Sequence, residues 1–273
     1  MKKLAVIILN RNLPKVTDKL YNKLKKSNKN TDIYILESGS DKKLLSKNYT
    51  WHANWPEAKK KGLRFSRGMN YALIQLIKAN KFELYDYFLL ITNDTEFENY
   101  SIKNKIDNIF NKHKKLGVLS PCSKNWGEIN YLKDERLKYF WFIENSALII
   151  KRDLIKKLSD ISKPKYIDFL FDGNNFRGFG LEVELITKAY INDYSAGITR
   201  DIIVFENETY LKNDYKVIKT DPYNKNLEKY VSEGKKWMKK KYGFNSKWSM
   251  QMYAKLFYDK FFDYNPEMKK YRL

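Results

Sequence analysis

The chain of 273 residues has one cysteine, two histidines and no long apolar run. The lone Cys122 excludes an intramolecular disulfide, and with it the stapled fold of a small secreted protein. It reads as a packed or half-exposed thiol. No stretch reaches the roughly 18 consecutive apolar residues of a membrane-spanning helix. Leu4 to Leu9, behind two lysines, is too short for a signal-peptide core and has no small-residue cleavage site after it. The expectation is a cytoplasmic protein. His52 and His113 lie outside every motif described below and read as surface residues. Ser–His–Asp chemistry has no candidate, and no Walker-type phosphate loop is present.

What the chain does contain is apolar and basic. Hydrophobic residues make up 43% and aromatics 16%, which excludes wholesale disorder and allows one large domain. Lys and Arg number 53 against 32 Asp and Glu, a net charge of +21. Two explanations stand side by side. Heavy use of Lys, Asn, Ile and Tyr fits an AT-rich coding sequence, or the charge serves an anionic substrate, an anionic membrane face or nucleic acid. Lysines are spread through every predicted helix rather than gathered in one groove, which argues against nucleic acid.

The organising stretch is Tyr87-Phe-Leu-Leu-Ile-Thr-Asn-Asp-Thr-Glu-Phe97. Its apolar run reads as a strand buried on both faces, and it stops on Thr92, Asn93, Asp94, Thr95 and Glu96. Such a strand delivers polar groups to the carboxyl edge of a sheet, where open α/β proteins bind ligands. Leu4 to Leu9 is a second such run, ending on Asn10-Arg11-Asn12. Pro14 then opens a helix, and Ile33 to Leu36 is a strand closing on Glu37-Ser38-Gly39-Ser40. Strand, helix and strand make a parallel βαβ unit, which sets Glu37 beside Asn10 to Asn12. Residues 42–63 read as loop, Gly68-Met69-Asn70 opens a helix, and Ser101 is a candidate N-cap. The predicted fold is α/β with a mostly parallel central sheet flanked by helices and a helical C-terminal appendage.

These motifs in this order resemble the family 2 glycosyltransferases of the GT-A (nucleotide-diphospho-sugar transferase) fold. Leu4 to Asn12 with Leu13-Pro14 is similar to the family's first strand. Glu37-Ser38-Gly39-Ser40 stands where the family has Asp-Asn/Asp-Gly-Ser, and Gly68-Met69-Asn70 matches its helix start. Thr92 to Phe97 matches its metal-binding strand end. Gly178-Phe-Gly-Leu-Glu182-Val-Glu184 is similar to the motif that carries its base. The resemblance covers residues 4–208. It implies a GT-A catalytic domain over 1–208, with a basic, aromatic-rich helical extension over 209–273.

The implied activity is inverting transfer of a sugar from a UDP-, GDP- or dTDP-linked donor. The acceptor would be a hydroxyl of a bacterial surface glycan or lipid-linked saccharide, of capsule, lipooligosaccharide or O-antigen type. Asn10, Asn12, Glu37, Ser38, Arg67, Asn70 and Asn93 are the candidate donor-binding residues. Asp94, Glu96 and Glu206 are the candidate ligands for Mn2+ or Mg2+, with Glu206 in the place of a metal-binding histidine. Thr92 stands where the first acid of the family's Asp-x-Asp would be, and a neutral hydroxyl is a poorer ligand for a hard cation. Glu182 is the expected base that deprotonates the acceptor, with Glu184 as its rival. The alternatives are a basic nucleic-acid-binding protein and a catalytically weakened pseudoenzyme, the latter suggested by Thr92, Glu37 and Glu206. In the tail, Lys235 to Tyr242 and the amphipathic stretch after Trp248 suit an anionic inner-membrane surface, or pack their aromatics on the catalytic domain.

Overall fold

The computed structural model describes residues 3–124, 128–133, 135–143 and 147–273. The first strand, β1 (Leu4–Asn10), is buried along its whole length, as an unbroken apolar run requires. Pro14 begins α1 (Pro14–Ser27) at a position where no helical N–H is needed. The helix returns the chain to β2 (Asp32–Ser38), parallel to β1, with Asn10 opposite Glu37. The stretch expected to be loop holds β3 (Trp51–Ala53), paired with β2, and α2 (Pro56–Lys61). A strand of three residues is too short to show alternation, so sequence periodicity passes over it. Gly39 turns the chain after β2 at φ 72, and a Cβ there would lie 1.8 Å from the Ala58 carbonyl oxygen.

The helix α3 (Arg64–Lys78) begins before Gly68, which lies inside it. A Cβ at Gly68 would stand 2.6 Å from Leu9 Cδ1, so the missing side chain lets α3 close on β1. The organising strand is β4 (Tyr87–Thr92), parallel to β1 on the side away from β2, with Leu9 opposite Thr92. A tight turn leads to β5 (Thr95–Phe97) and then α4 (Lys103–Lys112). Ser101 does not cap α4. Asn28 Oδ1 does, accepting from the N–H groups of Ile102 and Lys103 at 3.0 Å each.

The remaining elements are β6 (Leu116–Ser123), α5 (Glu128–Leu132), β7 (Leu137–Tyr139), β8 (Leu148–Lys151), α6 (Arg152–Leu158), α7 (Leu181–Ile191) and β9 (Ser195–Glu206). The sheet runs β3-β2-β1-β4-β8-β6-β9-β5, with β7 also on β9. Among the described residues, β1 to β4, β6 and β9 point one way, and β5, β7 and β8 the other. Six of these nine strands share a direction, but four of the eight pairings between them are antiparallel, so the sheet is mixed rather than mostly parallel. From β1 the chain moves outward to β2 and β3, then crosses back to β4. The strand order reverses between β1 and β4, and that point at the carboxyl edge is where open α/β sheets form a ligand crevice.

The tail is helical: α8 (Thr209–Asn213), α9 (Tyr215–Ile218), α10 (Tyr223–Tyr242) and α11 (Lys247–Tyr264). From α11, Tyr258, Phe261 and Phe262 enter the same buried cluster as the sheet, with Phe261 5.4 Å from the Tyr190 ring. Trp237, Met238, Met250 and Ala254 close over Val183 of α7 in a smaller cluster. His113 is not a surface residue. It is buried with a ring nitrogen 3.0 Å from the Tyr139 hydroxyl, and burial, then the charges of Lys112 and Lys270, pull it down to about 4. Among the described residues, no helix is long and apolar enough to cross a membrane.

Candidate active site

The carboxyl ends of β1, β2 and β4 are tied by one polar network. Asn10 Nδ2 donates to both Glu37 oxygens at 3.0 and 2.9 Å, and Asn10 Oδ1 accepts from Asn93 Nδ2 at 2.8 Å. Glu37 is fully buried and also accepts from Ser40 Oγ at 2.5 Å and Ser46 N–H at 2.7 Å. Four hydrogen bonds occupy that carboxylate, so its role here is to lock three strand ends in register. Ser38 Oγ accepts from Leu63 N–H at 2.6 Å, and Asn12 Nδ2 donates to the Val217 carbonyl at 2.6 Å. Asn70 pins residues 166–171 to α3 through its donations to Tyr166 and Phe171, and Arg67 does the same at Gly173. Asn10, Asn12, Glu37, Ser38 and Asn93 thus meet at one edge, with Arg67 and Asn70 behind a neighbouring loop.

Asp94 stands at the turn between β4 and β5. It is half-buried, and the Thr92 hydroxyl donates to its Oδ1. Burial pushes the Asp94 carboxyl up, the Thr92 hydrogen bond opposes this, and the Glu208 charge adds to the rise. The end of β9 wraps this turn. Thr95 pairs with Glu206, Asn207 N–H donates to the Asp94 carbonyl at 2.9 Å, and Asn207 Nδ2 to Glu96 Oε1 at 2.8 Å. Glu96 and Asp94 both act on Tyr210, whose hydroxyl is raised first by burial. A cavity of about 20 Å³ lies here, lined by Asn93, Thr95, Glu96 and Tyr210 among others. Glu208, two residues past the expected Glu206, is the acid whose charge bears on Asp94. It lies past the end of β9, as the residue that precedes α8, so strand alternation from Glu206 does not reach it.

The acids of the glycine-flanked motif sit elsewhere, under the tail. Gly180 adopts the left-handed conformation at φ 80 and begins α7, with Glu182 and Glu184 buried in its first turn. Glu184 is satisfied by Lys241 at 2.8 Å, by the Tyr242 hydroxyl and by Lys188 at 3.2 Å. Glu182 differs. Lys247 Nζ lies 2.6 Å from its Oε1 as an ion pair, yet among the described residues neither of its oxygens has a hydrogen-bond partner. Asp172 joins this region: burial would raise it, but hydrogen bonds from Lys241 at 2.6 Å and Trp237 at 3.0 Å bring it down to about 2.

Solved structures share this architecture. The chain matches mannosyltransferase PcManGT from Pyrobaculum calidifontis, in complex with GDP-Man and Mn2+, at 11% identity and a TM-score of 0.51, covering 75% of this chain and 56% of that one. It matches S. aureus TarS at 13% identity and a TM-score of 0.51, covering 79% of this chain and 38% of that one. It matches GalNAc-T7, solved with UDP, GalNAc and Mn2+, at 10% identity and a TM-score of 0.55, covering 86% of this chain and 51% of that one. The fold is of the GT-A type. The chain spans about half the length of these structures. No family model and no curated protein matches the sequence.

A GT-A fold raises the question of a divalent cation. Among the described residues, no group of three His, Cys, Asp or Glu side chains converges into a cage. The donor set at Asp94 is instead one half-open carboxylate with further acids nearby. It fits a hard cation that keeps phosphate and water oxygens in its shell rather than one held by protein alone.

On sequence grounds the guanidinium forks of Arg64 and Arg67 suit phosphates, but sequence reasoning overlooks Arg11 and Arg177. Arg11, Arg64 and Arg177 lie far apart in the chain, but the charges of Arg11 and Arg177 both bear on Arg64. Nothing in local periodicity brings residues so distant in sequence together.

Proposed function

We propose that the chain is a glycosyltransferase that moves a sugar from a nucleoside-diphosphate donor to an acceptor hydroxyl. Asp94 carries the reading: a half-exposed acid with an upward-shifted carboxyl, at the point where the strand order of a GT-A fold reverses. Mn2+ or Mg2+ would be held by Asp94, with Glu96, Glu206 and Glu208 supplying negative charge nearby. When bound, such an ion offsets the charge that develops on the departing diphosphate. Asn10, Asn12, Glu37, Ser38 and Asn93 hold the strand ends that form the donor edge, and Arg67 and Asn70 fix residues 166–173 against α3.

Glu182, rather than Glu184, is the proposed base. Its Oε1 meets Lys247 as an ion pair at 2.6 Å, but its Oε2 has no partner among the described residues and keeps lone pairs for a hydroxyl proton, whereas Glu184 is occupied by three partners. One carboxylate suffices for an inverting displacement, since no covalent intermediate has to form. The proposed acceptor is a surface glycan or its lipid-linked precursor, reached from the cytoplasmic face of a membrane. Support comes from α11, where Trp248, Leu256 and Tyr264 are exposed at 68%, 61% and 82% in a lysine-rich tail. Exposed aromatics among lysines suit an anionic bilayer surface. The test follows thermal stability with UDP, GDP and dTDP, each with and without Mn2+. One nucleotide should raise the melting temperature, and more so with the metal; no rise under any condition contradicts the proposal.

A further inference from the structure

We infer that Arg11, Arg64 and Arg177 form a diphosphate-binding pocket that the chain keeps filled with its own Asp221, so that the ligand must displace residues 214–222. This deepens the donor-site reading and rests on it for the pocket's place in the reaction. The three guanidiniums come from different elements. Arg11 follows β1 directly, Arg64 opens α3, and Arg177 precedes Gly178. Arg64 holds φ at 55, a left-handed conformation that costs a residue with a side chain about 1–3 kcal/mol and is typical of ligand clamps. Burial, then the neighbouring charges of Arg177 and Arg11, lower Arg64 to about 10. Like charges drawn together against their repulsion indicate an anion that belongs among them.

Spare donors are present as well. Arg11 Nε and Nη1 are sealed from solvent with no hydrogen-bond partner among the described residues, while Nη2 donates to the Lys59 carbonyl at 3.0 Å. The tail supplies the acceptors that the cluster does have. Asp221 Oδ2 accepts from Arg177 Nη2 at 2.9 Å, and Thr220 Oγ1 accepts from Arg64 at 2.6 Å. Asn226 accepts from both arginines, and Glu233 pairs with Arg177 at 3.1 Å. Asp221 also holds Lys229 at 2.8 Å. A carboxylate held by a guanidinium and an ammonium presents an anionic oxygen pair to the cations that would meet two oxygens of a phosphate group.

The segment that brings Asp221 here is weakly held. Neither α8 nor α9 contains a buried residue. Beyond the contacts of Thr220 and Asp221 just described, it is fastened by the Val217 carbonyl on Asn12 and by the Lys219–Asp41 pair, whose side chains are 46% and 47% exposed. Exposed polar contacts without an apolar core open at little cost. The two acids that remain near the arginines after opening, Asp41 and Glu233, leave room for the charge of a diphosphate.

The experiment titrates the full chain with inorganic pyrophosphate, without metal, by calorimetry, and follows hydrogen exchange over residues 214–222. Wild type should bind and show faster exchange in that segment. Asp221→Asn should bind about 5-fold tighter or better, because the competing carboxylate is gone. Lys219→Ala, which touches only the exposed pair, should shift affinity the same way by less. Arg177→Gln should weaken binding. Equal affinity in wild type, Asp221→Asn and Lys219→Ala, or unchanged exchange on binding, would overturn the proposal. Parallel arms with inorganic phosphate and with UDP separate a bare anion site from a nucleotide site. Pyrophosphate binding without any donor turnover would keep this pocket and remove glycosyl transfer. Turnover with an unmoved segment would do the reverse.

Discussion

Two groups of acids in this molecule carry opposite environments. At the end of β4, Asp94 is half-exposed, hydrogen-bonded by one threonine, and crowded by the like charge of Glu208. Under α10 and α11, Asp172 and Glu184 are buried and clasped by Lys241, with Trp237 and Tyr242 completing their hydrogen bonds. An acid with an unfavourable charge balance and room beside it is arranged to meet a cation. An acid with its partners built in is arranged to hold helices together. Glu182 lies in the second region by position, yet beyond its Lys247 ion pair on Oε1 it has no hydrogen-bond partner among the described residues. The difference between Glu182 and Glu184, two residues apart on one helix, is therefore the sharpest point of the comparison.

The largest expected effect tests that point. Glu182→Gln should lower sugar transfer by about 10²–10⁴-fold while the protein stays folded, as removal of a general base does. Assay with the preferred donor, beside urea unfolding, separates the two readouts. A variant that loses stability and transfers normally once refolded would move Glu182 into the structural group. Glu184→Gln should behave in the opposite way. It leaves Lys241 without one of its two carboxylates, and the expected loss is about 3 kcal/mol in urea unfolding with turnover per folded molecule unchanged.

Asp172 gives a smaller effect with a defined sign. Its carboxyl is held at about 2, below the usual carboxylate value of about 3.9, so its stabilisation is complete above the higher figure and fades as pH falls toward the lower. The expected contribution is on the order of 2 kcal/mol at neutral pH. Asp172→Asn should remove that part of the acid limb between the two values, which a stability series across pH would record. A final change works on the strand edge. Thr92→Asp restores a second carboxylate beside Asp94 and should tighten Mn2+ by about tenfold, since affinity for hard cations follows ligand charge. Unchanged Mn2+ affinity would mean the cation site lies away from the β4 turn.

Sequence pattern reveals the first region far better than the second. The apolar runs Leu4 to Leu9 and Tyr87 to Ile91 end abruptly on polar residues, and the sheet places both ends side by side. The network joining Asn10, Glu37 and Asn93 follows from that pairing. What sequence reading overlooks depends on distance along the chain. Asn28 caps α4 from 74 residues away, and Asn12 meets Val217 across 205. The approach of Arg11 and Arg177 to Arg64 belongs to the same class. In the tail, where sequence leaves a membrane face and packing on the catalytic domain as alternatives, Trp237 and Met238 are buried against α7. Amphipathic spacing tells that one face is apolar, not which surface covers it.

The most direct test of the strand edge as the donor site is donor turnover by wild type and Asp94→Ala at matched Mn2+ concentrations. Transfer, or slow hydrolysis of the donor, should fall by about 10²-fold or more in the variant, with thermal stability unchanged. Equal turnover by the two proteins would contradict the assignment of this edge.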